Sequence, residues 1–196
     1  MIAKYVSVSL ALLATLTASA QTNAQKNATV IRAARAQVGV THGYDNRYHQ
    51  IAYPGGDVPV TTGVCADVIV RAFRAAGLDL QVMVHDDMRK HFSAYPRKWR
   101  LTAPDANIDH RRVPNLEVFL RRSGKAVSVT KNGPDYLPGD IVVWRLLGGL
   151  PHIGLVSDRR ATPQRYLVIH NVGAGTREED VLFAYEITGH FRWFSK

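Results

Sequence analysis

Thr62-Gly63-Val64-Cys65-Ala66-Asp67-Val68-Ile69-Val70-Arg71-Ala72-Phe73 holds the only cysteine of the chain. A glycine and two threonines precede it, and an apolar-periodic segment follows. Val68, Ala72 and Ala76 form one i, i+4 row, and Ile69 and Phe73 form a second. The spacing predicts a helix with one buried stripe, stopped by Gly77. Cys65 then lies in the first turn, where unpaired N–H groups and the helix dipole favour a thiolate. An isolated cysteine more often packs as a small apolar side chain. Two features weigh against that plain reading here: a leader upstream and two histidines downstream.

The chain has 196 residues, enough for one domain. Its apolar share of 46% excludes a mainly disordered chain. Residues 1–20 read as a secretory signal peptide, with Lys4, an apolar run from Val6 to Leu16 and the small-residue site Ala18-Ser19-Ala20. An uncleaved anchor is the alternative. No cysteine stands at the cleavage site, which argues against a lipoprotein. The mature domain is expected over 21–196, in the periplasm or outside the cell. A single cysteine allows no intramolecular disulfide, and a free thiol in an oxidising compartment is a liability unless it is used. Net charge is +9, and losing Lys4 with the leader leaves +8. That surface suits an acidic partner, and export favours a cell-wall polymer or phospholipid over nucleic acid. No basic motif interleaved with aromatics points to nucleic acid.

Residues 21–26 read as a frayed polar start, and Ala28 to Val38 as a helix ended by Gly39. His42 to Thr62 is a long irregular approach to Cys65, and loops of that length are usually functional. Its Tyr44, Tyr48 and Tyr53 either line a cleft or cover the core edge. Val82 to Tyr95 reads as a mixed helix, Arg97 to Arg112 as a basic irregular stretch, and Asn115 to Arg122 as a short helix before Gly124. Strand signals then take over: Ala126–Val129, Ile141–Trp144 after the Pro138-Gly139-Asp140 turn, His152–Ser157, Tyr166–His170, Val181–Tyr185 and Gly189–Phe194, with a polar hairpin loop over Asp158–Gln164. Helices followed by an antiparallel meander make an α+β layout.

His152 opens one strand and His170 closes the next, so a hairpin brings them to one end of the sheet. A cysteine at a helix start packed on that end completes a Cys–His–His set. The imidazole of His152 would take the thiol proton and later return it to the leaving amine, and His170 would hold that ring in one tautomer. Asn171 is the rival third member. Successive strand residues face opposite sides, so only one of the two can point at His152; His170 is favoured because Asn171 can cap the glycine turn that follows. The Cys65 N–H supplies one oxyanion donor, and a tyrosine of the 44–53 loop is the candidate for the second. Asp67 is read as structural.

Several blocks together resemble a known family: Gly63-Val64-Cys65 with Asp67, Asn107-Ile108-Asp109-His110-Arg111-Arg112, Leu137-Pro138-Gly139-Asp140-Ile141-Val142, His152-Ile153-Gly154-Leu155-Val156-Ser157-Asp158 and Ile169-His170-Asn171. They are similar to the exported bacterial family DUF1287, which in turn resembles the NlpC-type papain-like cysteine peptidases that cut peptidoglycan stems. The likeness spans about Ala28 to Phe194. It implies a papain-like fold with N-terminal helices on a C-terminal antiparallel sheet, and Cys65, His152 and His170 as the triad. The wider superfamily usually has Asp before the cysteine and Ser after it; here these are Val64 and Ala66.

Three functions compete. The first is a thiol amidase or endopeptidase acting on cell-wall peptide without a cofactor or metal. The second is a non-catalytic wall-binding module. The third is a metal hydrolase on His85, Asp86, Asp109 and His110, but no HExxH spacing is present. Asp109, His110, Arg111 and Arg112, with Tyr53, are the substrate-binding candidates, since Arg holds carboxylates bidentately. The plain alternative is an Asp–Arg network that fastens the loop to the core.

Overall fold

The periodic segment that begins at Cys65 does form a helix, and a five-stranded sheet is laid against it. A computed structural model describes residues 22–194; the leader expected over 1–20 lies outside the described residues. Helix α1 is described over 22–35. An irregular stretch without helix or strand fills 41–64. Then come α2 (Cys65–Ala75), α3 (Leu80–His91) and α4 (Val113–Arg122). The strands are β1 (Ile141–Arg145), β2 (Pro151–Thr162), β3 (Arg165–Asn171), β4 (Thr176–Glu179) and β5 (Glu186–Phe191). The order across the sheet is β4-β3-β2-β1-β5, with every pairing antiparallel. The protein is therefore α+β, with four helices among the described residues. None of those helices is long and apolar enough to cross a membrane.

Both faces of the sheet are covered, which is why its central strands read as unbroken apolar runs. Toward the helices, Ile141, Val143, Ile153, Leu155 and Ile169 pack with Val68, Ile69 and Phe73 of α2 and Leu116 and Leu120 of α4. On the outer face Val142, Trp144, Val156 and Val168 pack under Tyr136 and Leu182. The Trp144 indole N–H donates to the Leu182 carbonyl at 3.0 Å, so the one polar atom of that ring is satisfied.

The start of α2 is built tightly. The Asp67 carboxylate accepts the Val64 N–H at 2.6 Å and so ties down the residue before the helix. Gly63 has φ +154°, and a Cβ there would stand 2.9 Å from Asp67 Oδ2. Any larger residue would push the cap away.

Five local expectations are corrected. The 21–26 segment is not frayed where it is described: α1 runs through it, and Asn27 Nδ2 donates to the Pro138 carbonyl at 2.9 Å. Ala126–Val129 is no strand, for it makes a single bridge, Ala126 to Phe191, before leaving the sheet. The polar stretch 158–164 is mostly strand, and the reversal narrows to the two-residue turn at 163–164. The fifth strand is Glu186–Phe191, shifted toward the N-terminus from the expected Gly189–Phe194. Val181–Tyr185 is a turn whose Leu182 is wholly buried against the outer face; its apolar residues form a cover rather than a ladder.

That last assignment has a measurable consequence. Leu182→Ala opens a cavity above Trp144 and should cost about 2–5 kcal/mol in a denaturant titration. A cost under about 1 kcal/mol would mean that 181–185 is not the outer cover.

Candidate active site

Cys65 is the first residue of α2, so its N–H is one of the helix's unpaired donors. The side chain is buried at 3% exposure, at the floor of a cleft of about 330 Å³. Tyr44 and Asn46 of the long loop form part of the cleft wall, together with Trp99, Arg112 and Pro151. Hydrogen bonds from the Ile153 N–H, the Tyr44 hydroxyl and the Ala66 N–H reach the sulfur.

The expected thiolate is not what the structure favours. Burial pushes the Cys65 thiol up to about 11, and the nearby Asp67 charge pushes the same way. The three hydrogen bonds oppose that shift without cancelling it. Helix-start stabilisation is small beside the desolvation of a charge. At rest Cys65 is a neutral thiol. The Tyr44 hydroxyl is raised as well, first by burial and then by the sulfur, so it stays protonated and able to donate.

The two histidines meet as the hairpin reading expects. His152 Nε2 and His170 Nδ1 are 2.8 Å apart. Both lie on the outer face: His152 alternates with Gly154 and Val156, and His170 with Val168. Gly154 makes the crossing possible, because a Cβ there would fall 2.8 Å from Val168 Cγ1 and 3.1 Å from His170 Cβ. Burial lowers His152 to about 3, and a proton on the adjoining His170 would lower it further. Burial lowers His170 too, against the pull of Glu179. Its Nε2 is 3.1 Å from Glu179 Oε1.

Cys65 approaches this pair from the helix side, around the end of the sheet. Pro151 shares its cleft and the Ile153 N–H touches its sulfur, so the peptide units on either side of His152 border the thiol. No hydrogen bond joins Cys65 to His152 among the described residues.

Asn171 points to the other face. Its Nδ2 donates to the carbonyls of Gly43 and Gly63, and its Oδ1 accepts the Gly173 N–H. It fastens the loops beside α2 and caps the glycine turn; it does not reach His152.

The 107–112 block is mostly committed to its own framework. Arg111 and Asp67 form a bidentate ion pair at 2.9 and 3.0 Å, each side chain 3% exposed. Arg111 also donates to the carbonyls of Arg47 and Asp45. Asp109 is buried and accepts from the Asp105 N–H at 2.5 Å and from Arg112 Nη1 at 3.1 Å. His110 is buried, and desolvation lowers it to about 4. Asp109 and Arg111 are thus engaged in framework contacts and His110 is a buried ring, while Arg111 also lines the cleft beside Arg112. Arg112 differs. Its guanidinium lies 4.1 Å over the Trp99 ring at the cleft wall. Trp99 holds φ +61°, a left-handed conformation that costs a bulky residue energy and that clusters at binding sites. Tyr53 is corrected. Its ring meets His85 edge-on at 5.1 Å and does not line the Cys65 cleft.

Trp99 and Glu179 escaped the sequence reading. Trp99 sits in a stretch without periodicity, and only its aromatic character beside basic residues hinted at a surface role. Of the metal-hydrolase candidates, Asp109 is engaged by the Asp105 N–H and Arg112. Among the described residues no group of three or more His, Cys, Asp or Glu side chains is arranged to hold a metal.

The buried histidines make a pH prediction. His110, His152 and His170 are neutral when folded but take protons near pH 6.5 when unfolded. The unfolded state then binds more protons, so stability falls as pH drops from about 6.5 toward 4. Carboxylates held low by arginine, such as Asp87, add their loss only below about pH 4. The denaturation midpoint should decline between pH 7 and pH 4, and a flat profile there would mean the rings are hydrated or paired as cations.

A family profile described as a domain of unknown function, DUF1287, matches residues 31–193. The chain is also similar to the uncharacterized protein YijF of Escherichia coli (strain K12), with 54% identity over 176 residues, covering 90% of this chain and 86% of that protein.

Proposed function

The chain belongs to the DUF1287 family, and from its cleft we propose that it is an exported thiol hydrolase, an amidase or endopeptidase that cuts amide bonds in peptidoglycan stem peptides. The fold would then be a papain-like one of the NlpC type, acting in the periplasm or outside the cell. The observation that carries this reading is the hydrogen-bonded His152–His170 pair at the sheet end, with the next amide, Ile153 N–H, on the sulfur of a helix-start cysteine.

The chemistry follows from the neutral resting state. Cys65 and His152 do not form a preformed ion pair, so the proton moves as the bond forms. The sulfur attacks the scissile carbonyl carbon while its proton passes to His152 Nδ1. The new oxyanion takes donors from the Cys65 N–H and the Tyr44 hydroxyl. His152 then protonates the leaving amine, and water, deprotonated by the same ring, releases the acid and restores the thiol. Catalytic hydrogen bonds are often long in substrate-free enzymes and tighten on binding, which suits the open Cys65–His152 approach. The +9 charge and Arg112 on the cleft wall supply attraction for a carboxylate-bearing polymer.

A second reading, a non-catalytic wall-binding module with the same cleft, is favoured by the thiol that burial raises to about 11. Digestion of purified sacculi, with fragments read by mass, separates the two. The wild type should release stem-peptide fragments, and Cys65→Ser should lose at least about a thousand-fold in rate with its melting temperature kept. Binding of sacculi without release of fragments would establish the second reading. Iodoacetamide labelling of Cys65 should be slow at pH 7 and rise about tenfold per pH unit toward pH 10, because only the thiolate reacts. A rate already at plateau at pH 7 would mean a preformed ion pair.

The arginines should separate cleanly. Arg112→Lys keeps charge but loses the planar fork, and should raise KM for wall fragments about tenfold with little change in melting temperature. Arg111→Lys should instead lower the melting temperature, as expected when a buried pair worth about 3–5 kcal/mol to break is disturbed. The reverse pattern would put the substrate carboxylate on Arg111.

A further inference from the structure

A third group extends the histidine pair, and it comes from the sheet's edge strand. His170 Nε2 lies 3.1 Å from Glu179 Oε1 on β4. Glu179 is 38% exposed at its side chain and borders an open recess of about 260 Å³ with His170, Arg177 and the glycine turn. Two rings and one carboxylate form one line: His152, His170, Glu179.

A carboxylate can only accept a hydrogen bond, whereas a neutral imidazole has one donor nitrogen and one acceptor. The proton positions along the line therefore follow from its last member. His170 must donate from Nε2 to Glu179, which leaves His170 Nδ1 bare. That nitrogen accepts from His152 Nε2–H across 2.8 Å. His152 Nδ1 is left as the bare nitrogen, and among the described residues it has no protein partner. We infer that Glu179 is a positioning residue that sets the tautomer of both histidines and so presents His152 Nδ1 as the proton acceptor of the site. This rests on the thiol-hydrolase reading for its catalytic meaning, but the tautomers do not depend on that reading.

The same line steadies charge. When His152 Nδ1 takes the thiol proton, the ring becomes a cation that still donates through Nε2 to His170, which still donates to Glu179. No further proton moves. The carboxylate favours the cation through two hydrogen bonds, and its opening to solvent lets counter-charge and water adjust there. The groups facing His170 are His152 from β2, and Glu179 and Arg177 from β4. Arg177 opposes the cation and Glu179 supports it. Trp144 of β1, which faces His152 at 5.7 Å, carries no charge. Among the described residues Glu179 is thus the one acidic group facing His170.

Two readouts test this. Long-range 15N–1H spectra of the substrate-free protein should show Nε2–H tautomers for both His152 and His170, and Glu179→Leu should turn His170 into a mixture. Unchanged ring shifts in Glu179→Leu would overturn the inference. If that variant does not fold, the same comparison is made in Glu179→Gln, where losing the carboxylate should lower the pKa of His170. Sign and direction follow for activity on wall fragments. Removing the carboxylate destabilises the cation, so Glu179→Gln should move the acid limb of kcat/KM to lower pH and lower kcat about tenfold with KM unchanged. Glu179→Asp should recover part of the loss. An acid limb and kcat that stay put would overturn the role. If the wild type itself proves inactive on sacculi, the proposed activity fails, and the tautomer spectra still decide the role of Glu179.

Discussion

One buried ion pair, Asp67 with Arg111, holds the cleft together. Each partner is almost fully withdrawn from water, where an unmatched charge would be very costly. The pair is therefore present only if three separate pieces of chain arrive together. Asp67 brings the first turn of α2 and, through Val64, the residue just before Cys65. Arg111 brings the 107–112 segment and the start of α4. Its remaining donors take the Asp45 and Arg47 carbonyls, which fixes the loop that carries Tyr44. The two long irregular stretches have few apolar contacts of their own, so this charge network does for them what packing does for the helices.

The location of Asp67 also explains the electrostatics of the thiol. A carboxylate three residues into a helix normally strengthens it through the dipole. Here the same charge sits beside a buried sulfur and opposes its ionisation, along with the larger effect of desolvation. The framework and the thiol thus make opposite demands on one residue. A thiol raised by burial and an imidazole lowered by burial are the outcome, and under the proposed hydrolase reading the bond-making step would move the proton.

Much of this was legible in the sequence because periodicity reports burial. The α2 and α4 stripes fit helices buried on one side, and the unbroken apolar runs of β1 and β3 fit strands covered on both faces. The pairing of His152 with His170 followed from hairpin logic, and the separation of His170 from Asn171 from strand alternation. What stayed hidden has physical reasons too. β4 reads Thr176-Arg177-Glu178-Glu179, a loop-like string, because an edge strand needs no apolar face; its acidic side chains are spent on an ion pair, Glu178 with Arg35 of α1, and on a hydrogen bond, Glu179 with His170. The cover formed by Leu182 has the composition of a strand and the role of a lid on the outer core. The raised thiol could not be read at all, since depth beneath the surface is a property of the whole fold. In the 107–112 block a surface-like charge string is largely interior framework, with Arg111 and Arg112 both reaching the cleft wall.

β3 carries His170 and Asn171 side by side, one on each face of the sheet. Asn171 anchors the loops beside α2, while His170 serves the outer pair. A slip of one residue between β2 and β3 would exchange their faces and lose both tasks at once. That register depends partly on the two-residue reversal at 163–164, at the far end of the hairpin from the cleft. A small solvent-side turn, with no contact to the chemistry, is thereby under the same length constraint as the site itself. Tolerance to insertion, normally the privilege of hairpin tips, should be absent at this one.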